Sequence, residues 1–283
     1  MAGQGQTCAM TQAEVQTSAF GDLMRDWRRR RRMSQLDLAL AADVSSRHVS
    51  FIETGRSVPS RPMVLRLAAA LDVPARDQNR LLIAAGLAPA YAERSLDDPD
   101  MAAVADGVGQ VLAAYNPFPC LAVDRGWRVL QLNAGAALFL DGVAPHLLEE
   151  PNALRIALHP EGLSPRIRNL AQWRHHVVGR LRREVAIDGG GQLSSLLAEI
   201  ESYPGGMQKV RDLGGVAVPL ELYTTDGRLL TFLSTVTTFG TALDLTAAEL
   251  SIEAFLPADE ATSVALRASG QIPALRASRS SGD

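Results

Sequence analysis

The chain has 283 residues, of which 47% are hydrophobic, enough for two domains with cores of their own. Its net charge of −3 is uneven: residues 20–90 hold 12 Arg against 7 acids, a balance of +5, which leaves −8 on the remainder. No apolar run reaches the roughly 18 residues of a membrane span, the N-terminus lacks the basic-then-apolar order of a secretory signal, and Cys8 and Cys120 alone exclude a disulfide framework or a cysteine metal site.

A basic front on an acidic body is the asymmetry of a protein that meets phosphate with one domain only. Residues 1–18 are rich in Gln, Thr and Gly without apolar periodicity and read as a flexible tail, in which Met10 is a second candidate start. Phe20–Arg32 is predicted as a helix with Phe20, Leu23 and Trp27 on one face. Arg28–Arg32 close it, where basic side chains suit the helix dipole. The outer arginines read as a solvated face or a nonspecific phosphate patch. Ser34 is then a candidate N-cap, with Leu36, Leu38, Ala39 and Ala42 at helical spacing behind it, and the helix ends at Asp43. Ser45 opens a second short helix, Ser46–Thr54, whose Val49 and Ile52 face inward and which Gly55 ends. Two short helices joined by about three residues, the second with polar side chains at its start, make a helix-turn-helix. Ser60 begins a fourth helix through Leu71, with Pro62 in the tolerated first turn and Val64, Leu65, Leu67, Ala68 and Leu71 as its buried stripe. Asp72-Val73-Pro74 breaks it, and a fifth helix, Asp77–Ala85, stops at Gly86.

Ser34-Gln35, Leu38-Ala39, Val44-Ser45, Ile52-Glu53-x-Gly55-Arg56 and Pro59 resemble the Xre/Cro-type helix-turn-helix of phage repressors and bacterial regulators, over roughly residues 20–86. One position departs: the turn residue that is usually Gly is Asp43, which tolerates the left-handed conformation at some strain. The resemblance implies a structural ion pair between Arg28 and Glu53, with Arg28 also able to reach phosphate, and a backbone-clamping role for Gln35. A recognition helix enters the major groove end-on, so only Ser46, Arg47, Ser50 and Phe51 are placed to touch base edges. Arg47 is the candidate for a bidentate guanine contact, with a phosphate contact as the alternative. His48 reads as a polar surface residue or a phosphate contact, and Arg56 and Arg61 as further phosphate contacts.

Residues 87–100, with two Pro, several charges and little pattern, read as a linker. Met101–Ala114 is predicted helical, with Val104, Val108, Val111 and Leu112 inward, and Asn116-Pro-Phe-Pro119 stops it. Cys120–Val123, a turn at Asp124-Arg-Gly126 and Arg128–Leu132 make a hairpin, after which Asn133 starts a small-residue helix. A long helix reaches Val185, a Gly-rich break covers Gly189–Gly191, and another helix spans Leu193–Ser202. Strands follow at Val216–Tyr223, Leu229–Thr238 and Glu249–Phe255, with a turn at Thr224-Thr-Asp-Gly227. Residues 267–283, rich in Ser, Arg and Gly, read as disordered.

The hairpin with its closing Asn resembles the opening of a PAS domain, a sensory α/β fold with a ligand cavity between sheet and helices. The strings NALRIALHPEGLSPRI, PLELYTTDG and LLTFLSTVTTFGTALDLTAAELSIEAFLPADEAT are similar to the ligand-binding domain of MmyB-like regulators, which join it to an Xre-type reader. The expected fold class is thus α + α/β: a five-helix reader over 19–86 and a PAS-like domain over 101–266.

The resemblance implies a long apolar acid, a fatty acid above all, as occupant of the second domain. Phe118, Leu121, Leu138, Phe139, Leu154, Leu158, Trp173, Val177, Leu181, Leu220, Phe232 and Val236 are candidate lining residues, each with plain core packing as its alternative. Arg155 and His159 are candidate partners of an acidic head group, against a surface charge and a helix cap. The expectation is a cytoplasmic, dimeric regulator of double-stranded DNA, without resident cofactor, metal or membrane contact. A regulator controlled by a protein partner is the first alternative and a DNA-tethered enzyme the second. Against the enzyme stand the lack of HExxH, GxSxG and P-loop patterns, and His175-His176 cannot both face one metal on a helix.

Overall fold

The computed structural model describes residues 12–187, 191–208, 218–238 and 244–270. The chain divides into two compact units, residues 1–93 with 243–245 and residues 94–242 with 246–283.

The first unit is built from α1 (Gln12–Arg30), α2 (Gln35–Ala41), α3 (Ser46–Glu53), α4 (Arg61–Ala70) and α5 (Ala75–Ala84). Helix α1 begins eight residues before the expected Phe20, inside the stretch read as a tail: Gln, Ala and Glu there are adequate helix formers although they form no apolar stripe. Residues 1–11 of that tail lie outside the described residues. Ser34 caps α2 in a full capping box with Asp37, and Ser45 caps α3 by accepting from the His48 amide. Between them Asp43 sits at φ +51°, so the left-handed turn is kept with a non-Gly residue. Ser60 occupies the N-cap of α4 but makes no side-chain cap bond. Phe20, Met24, Leu38, Val49, Ile52, Val64, Leu67, Leu81 and Leu82 are all buried in one core, while Leu65 is only partly buried. Gly21 permits the approach of α1 to the end of α3, since a Cβ there would lie 2.7 Å from the Glu53 carbonyl oxygen.

The expected linker is not free. Leu87 and Ala90 pack on the helical core, and Asn79, 9% exposed, holds the backbone of Ala90 and Tyr91 through three hydrogen bonds. Further on, Leu96 packs with the second unit, and Pro99–Met101 form a 3-10 turn.

In the second unit, α6 (Ala102–Ala114) precedes β1 (Cys120–Val123) and β2 (Val129–Leu132). Four helices follow that carry one wall of the unit, α7 (Ala137–Leu140), α8 (His146–Glu149), α9 (Ala153–Leu158) and α10 (Leu170–Ile187), and α11 (Gly191–Ser202) comes next. Strands β3 (Leu220–Tyr223) and β4 (Leu229–Thr238), the short α12 (Leu245–Glu249), β5 (Ser251–Pro257) and α13 (Glu260–Gly270) complete it. All neighbours in the five-stranded sheet, ordered β2-β1-β5-β4-β3, are antiparallel. Alternation divides its faces. Cys120, Ala122, Ile252 and Ala254 pack with Val108 and Leu112 of α6. Leu121, Val123, Leu220, Leu222, Phe232 and Phe255 face the opposite core with residues of α9, α10 and α11. Asn133, 6% exposed, ties these parts together: its amide donates to the carbonyls of Leu112 and Phe118, and its oxygen accepts from the amides of Cys120 and Ala136.

Two boundaries near the end of the domain differ from expectation. The predicted strand from Glu249 begins at Ser251, because Leu245–Glu249, the helix-forming LTAAE, is α12. Helix α13 was not anticipated; Asp259 accepts from the Thr262 amide at its start, and it runs four residues past the expected domain end at 266. Residues 271–283 of the expected disordered tail, Gly189 and Gly190 of the break and the first two residues of the Val216 strand lie outside the described residues.

Candidate DNA-reading face and ligand cavity

Helix α3 is amphipathic by necessity: Val49 and Ile52 are 1% exposed, which turns Ser46 and Arg47 outward at its first turn. Ser50 and Phe51 are half-buried, and the Arg47 guanidinium lies over the Phe51 ring at 5.1 Å, which braces a long side chain that would otherwise be floppy. His48 is half-buried and Arg56 is exposed.

Glu53 closes the helix from beneath. Its carboxylate, on a residue 3% exposed, accepts from Arg28 Nε at 2.7 Å and Nη2 at 3.0 Å and from Gln35 Nε2 at 2.9 Å, with Arg25 Nε at 3.7 Å. Burial pushes this carboxyl up, but the hydrogen bonds from Arg28 and Gln35 and the charges of Arg28 and Arg25 outweigh it, so the group ionises below its ordinary range. The expected Arg28–Glu53 pair is thus present in bidentate form.

Three expected phosphate contacts also donate hydrogen bonds within the protein. Arg28 spends its remaining Nη1 on the Met33 carbonyl, Gln35 spends its amide on Glu53, and Arg61 donates to the carbonyls of Ala88 and Pro89. The arginine run is likewise not wholly solvated: Arg31 donates to the Leu71 carbonyl at the end of α4 and lies over the Trp27 ring. Such long-range contacts leave no local pattern in the sequence.

In the second unit a cavity opens between sheet and helices. Its volume is about 80 Å³. Six expected residues line it: Leu121, Phe139, Leu154, Trp173, Val177 and Leu220. Leu158, Leu181 and Phe232, each at most 1% exposed, are instead packed in the surrounding core. Phe118 and Leu138 pack only against its edge, and Val236 is 45% exposed on β4. The two candidate head-group partners lie elsewhere. Arg155 makes a bidentate pair with Glu199 at 2.8 Å, and His159 is the C-cap of α9, its ring edge-on to Tyr203 at 5.0 Å. His159 also joins His146 and Glu161 in a group whose ligand atoms lie within 4.8 Å of one another; this outer-surface trio is where a metal ion would find three donors.

The polar wall of the cavity was missed. Arg180 donates from Nε to Glu184 at 2.9 Å and from Nη1 to Glu253 at 2.5 Å, and its guanidinium lies 4.4 Å from the Trp127 ring centroid. Trp127 in turn donates to Glu184 at 2.9 Å. Burial raises the Glu253 carboxyl above its ordinary range, and Arg180 only partly offsets this. Burial likewise lowers His176, with the charges of Arg180, Arg183 and His175 acting in the same sense. His176 and Arg180 were within reach of a sequence reading, since 173, 176, 177 and 180 share one helical face. Ser234, Glu253 and Phe255 depend on the β4–β5 register, in which Ser234 faces Phe255.

Comparisons with known proteins match both regions of the chain. The family model described as MmyB-like transcription regulator ligand binding domain matches residues 104–268, and a helix-turn-helix domain model matches residues 19–81. Among solved structures, the restriction-modification controller protein C.AhdI from Aeromonas hydrophila is 31% identical, covering 22% of this chain and 94% of that one, with a TM-score of 0.21. The clp gene regulator ClgR from C. glutamicum is 28% identical over 25% of this chain and 88% of that one (TM-score 0.23). A Rhodobacter sphaeroides LOV protein is 12% identical over 56% and 70% (TM-score 0.29). No curated protein resembles the chain closely enough to count as a match. With its ligand-binding domain spanning more than half its length and a helix-turn-helix before it, the chain belongs to the MmyB-like transcription regulators.

Proposed function

We propose that this regulator is a cytoplasmic homodimer that reads a specific operator through Ser46, Arg47, Ser50 and Phe51, and that a small apolar effector in the second unit sets its affinity for DNA. The reading rests above all on the cavity beside Trp173 and Phe139, because a regulator governed solely by a protein partner has no need of an internal apolar space. Dimerisation is supported by geometry: one reader spans too few base pairs, and paired half-sites lie about one helical turn apart.

Size narrows the effector. Driving a two-state regulator from 1:99 to 99:1 takes about 5.5 kcal/mol of differential binding. At about 0.8 kcal/mol per buried methylene, that is about seven methylenes. The cavity lining, drawn almost wholly from apolar side chains, suits such a hydrocarbon. The hydrocarbon part of a medium-length fatty acid therefore fits, whereas a small polar metabolite would find few partners in this lining. Arg56 and His48 remain the phosphate contacts of choice.

Selection of an operator from random duplexes, followed by titration with the Arg47→Ala variant, tests the reader. The variant loses preference at one operator position while its salt dependence stays nearly intact; equal weakening on all duplexes, with a shallower salt slope, would make Arg47 a phosphate contact instead.

A further inference from the structure

His146 opens α8, His159 caps the end of α9, and Glu161 follows in the next turn. Backbone bonds hold these segments together: the Ala144 amide donates to the Glu161 carbonyl at 3.0 Å, and the Gly162 amide donates to the His159 carbonyl at 2.9 Å. The turn requires Gly162, because a Cβ there would run into the Ile156 carbonyl. Among the described residues this is the one place where three His, Cys or carboxylate donors come within 4.8 Å of one another.

Two of the three donors are weakly committed. His146 Nε2 stands 3.8 Å from Glu161 Oε2, beyond hydrogen-bond reach, and both side chains are more than half exposed. Donors at about 2.0–2.1 Å from a tetrahedral ion lie about 3.4 Å apart, so small rotations of these exposed side chains bring them to a common ion. His159 is steadier. It is half-buried, its ring is edge-on to Tyr203 at 5.0 Å, and its Nδ1 accepts from the Glu161 amide at 3.1 Å. Metal capture gives up that last bond whichever ring nitrogen is used: Nδ1 either lends its lone pair to the ion or takes up the proton that Nε2 loses.

As an exposed ion pair alone, His146 and Glu161 would add little to the fold. Two imidazoles and one carboxylate are the donor set of zinc, whereas calcium and magnesium take six or more oxygens. We propose that His146, His159 and Glu161 bind a zinc ion, with water as the fourth ligand on the solvent side. The ion ties the start of α8 to the turn behind α9, and so braces from outside the wall whose Ile156, Ala157 and Leu163 face the cavity. None of the three ligands lines that cavity, and the zinc site stands independently of any effector bound there.

Tag-free full-length protein, stripped with EDTA and desalted, is titrated calorimetrically at neutral pH with zinc sulfate, and with magnesium and calcium chlorides as oxygen-seeking controls. The native chain takes up zinc saturably, while magnesium and calcium at the same concentrations do not bind. His146→Ala and Glu161→Gln each weaken zinc at least about tenfold, the lower end of the loss when a supporting group of a metal site is removed. His175→Gln, on a different helix, stays within about twofold. Zinc raises the melting temperature of the native chain but not that of His146→Ala. Without metal the variants melt with the native chain, because the altered side chains are exposed. No saturable zinc binding by the native chain overturns the site. Zinc binding that survives both substitutions overturns the ligand assignment, and magnesium or calcium outranking zinc overturns the choice of ion.

Discussion

Glu53 in the helical unit and Glu253 in the sheet unit are both nearly buried, at 3% and 7% exposed, and both receive an arginine. Their titration nevertheless moves in opposite directions, down for Glu53 and up for Glu253. The difference lies in how donors are shared. Glu53 has the Nε and Nη2 of Arg28 to itself, with Gln35 added and Arg25 nearby, whereas Glu253 shares Arg180 with Glu184. A buried carboxylate is settled by several dedicated donors and left frustrated by one shared one. The first arrangement fixes a surface that must present the same face to DNA each time. The second leaves a polar wall in which one arginine is shared between two carboxylates.

The strongest way to break this contrast is to remove the dedicated partner. Arg28→Ala leaves Glu53 buried and uncompensated and costs about 3–5 kcal/mol in the first unit. Urea unfolding of variants that retain Trp27 alone, followed by fluorescence, measures it. Neutralising the frustrated glutamate goes the other way: Glu253→Gln changes the stability of the second unit by less than about 1 kcal/mol, because the variant avoids the desolvation of a buried charge. The same measurement with Trp127 or Trp173 as reporter checks it.

Acid sharpens the comparison. Glu53 ionises lower in the folded than in the unfolded chain, so its contribution is full above the ordinary carboxyl range and is lost as pH falls through its folded value. Glu253 ionises higher when folded, so it favours the folded second unit as pH falls through that raised value and opposes it as pH rises. Below the ordinary carboxyl range Glu53→Gln therefore lessens the acid loss of the unit reported by Trp27, whereas Glu253→Gln does not lessen that of the unit reported by Trp127 and Trp173. Equal changes in the two would contradict the assignment. The smallest expected effect is at the turn: Asp43→Gly relieves a left-handed residue at φ +51° and stabilises the first unit by about 1 kcal/mol or less.

The two units also differed in how far they could be read from sequence, for a physical reason. The reader is made of local signals. Ser34 and Ser45 as caps, Asp43 and Gly55 at positive φ and the apolar spacing of Val49 and Ile52 each act within a few residues. The Arg28–Glu53 pair is carried by resemblance, but the carbonyl partners of Arg61 and Arg31 lie 27 and 40 residues away and leave no local signal. The cavity is non-local throughout. Trp173, Val177 and Phe139 were legible as apolar residues, but which leucines would line the space and which would fill the core depends on sheet register. Arg155 was chosen for its charge, and only the fold reveals that Glu199 holds it.

The claim on which the account turns is that occupancy of the apolar cavity changes how α3 meets DNA. The direct measurement is fluorescence anisotropy of the full chain on an operator selected from random duplexes, with and without a saturating medium-length fatty acid. A shift of at least about tenfold in apparent affinity, confined to the selected operator, is the predicted result, being the effect of about 1.4 kcal/mol of coupling between the sites. Identical affinity with and without the bound fatty acid, or no preference for any duplex, would contradict it.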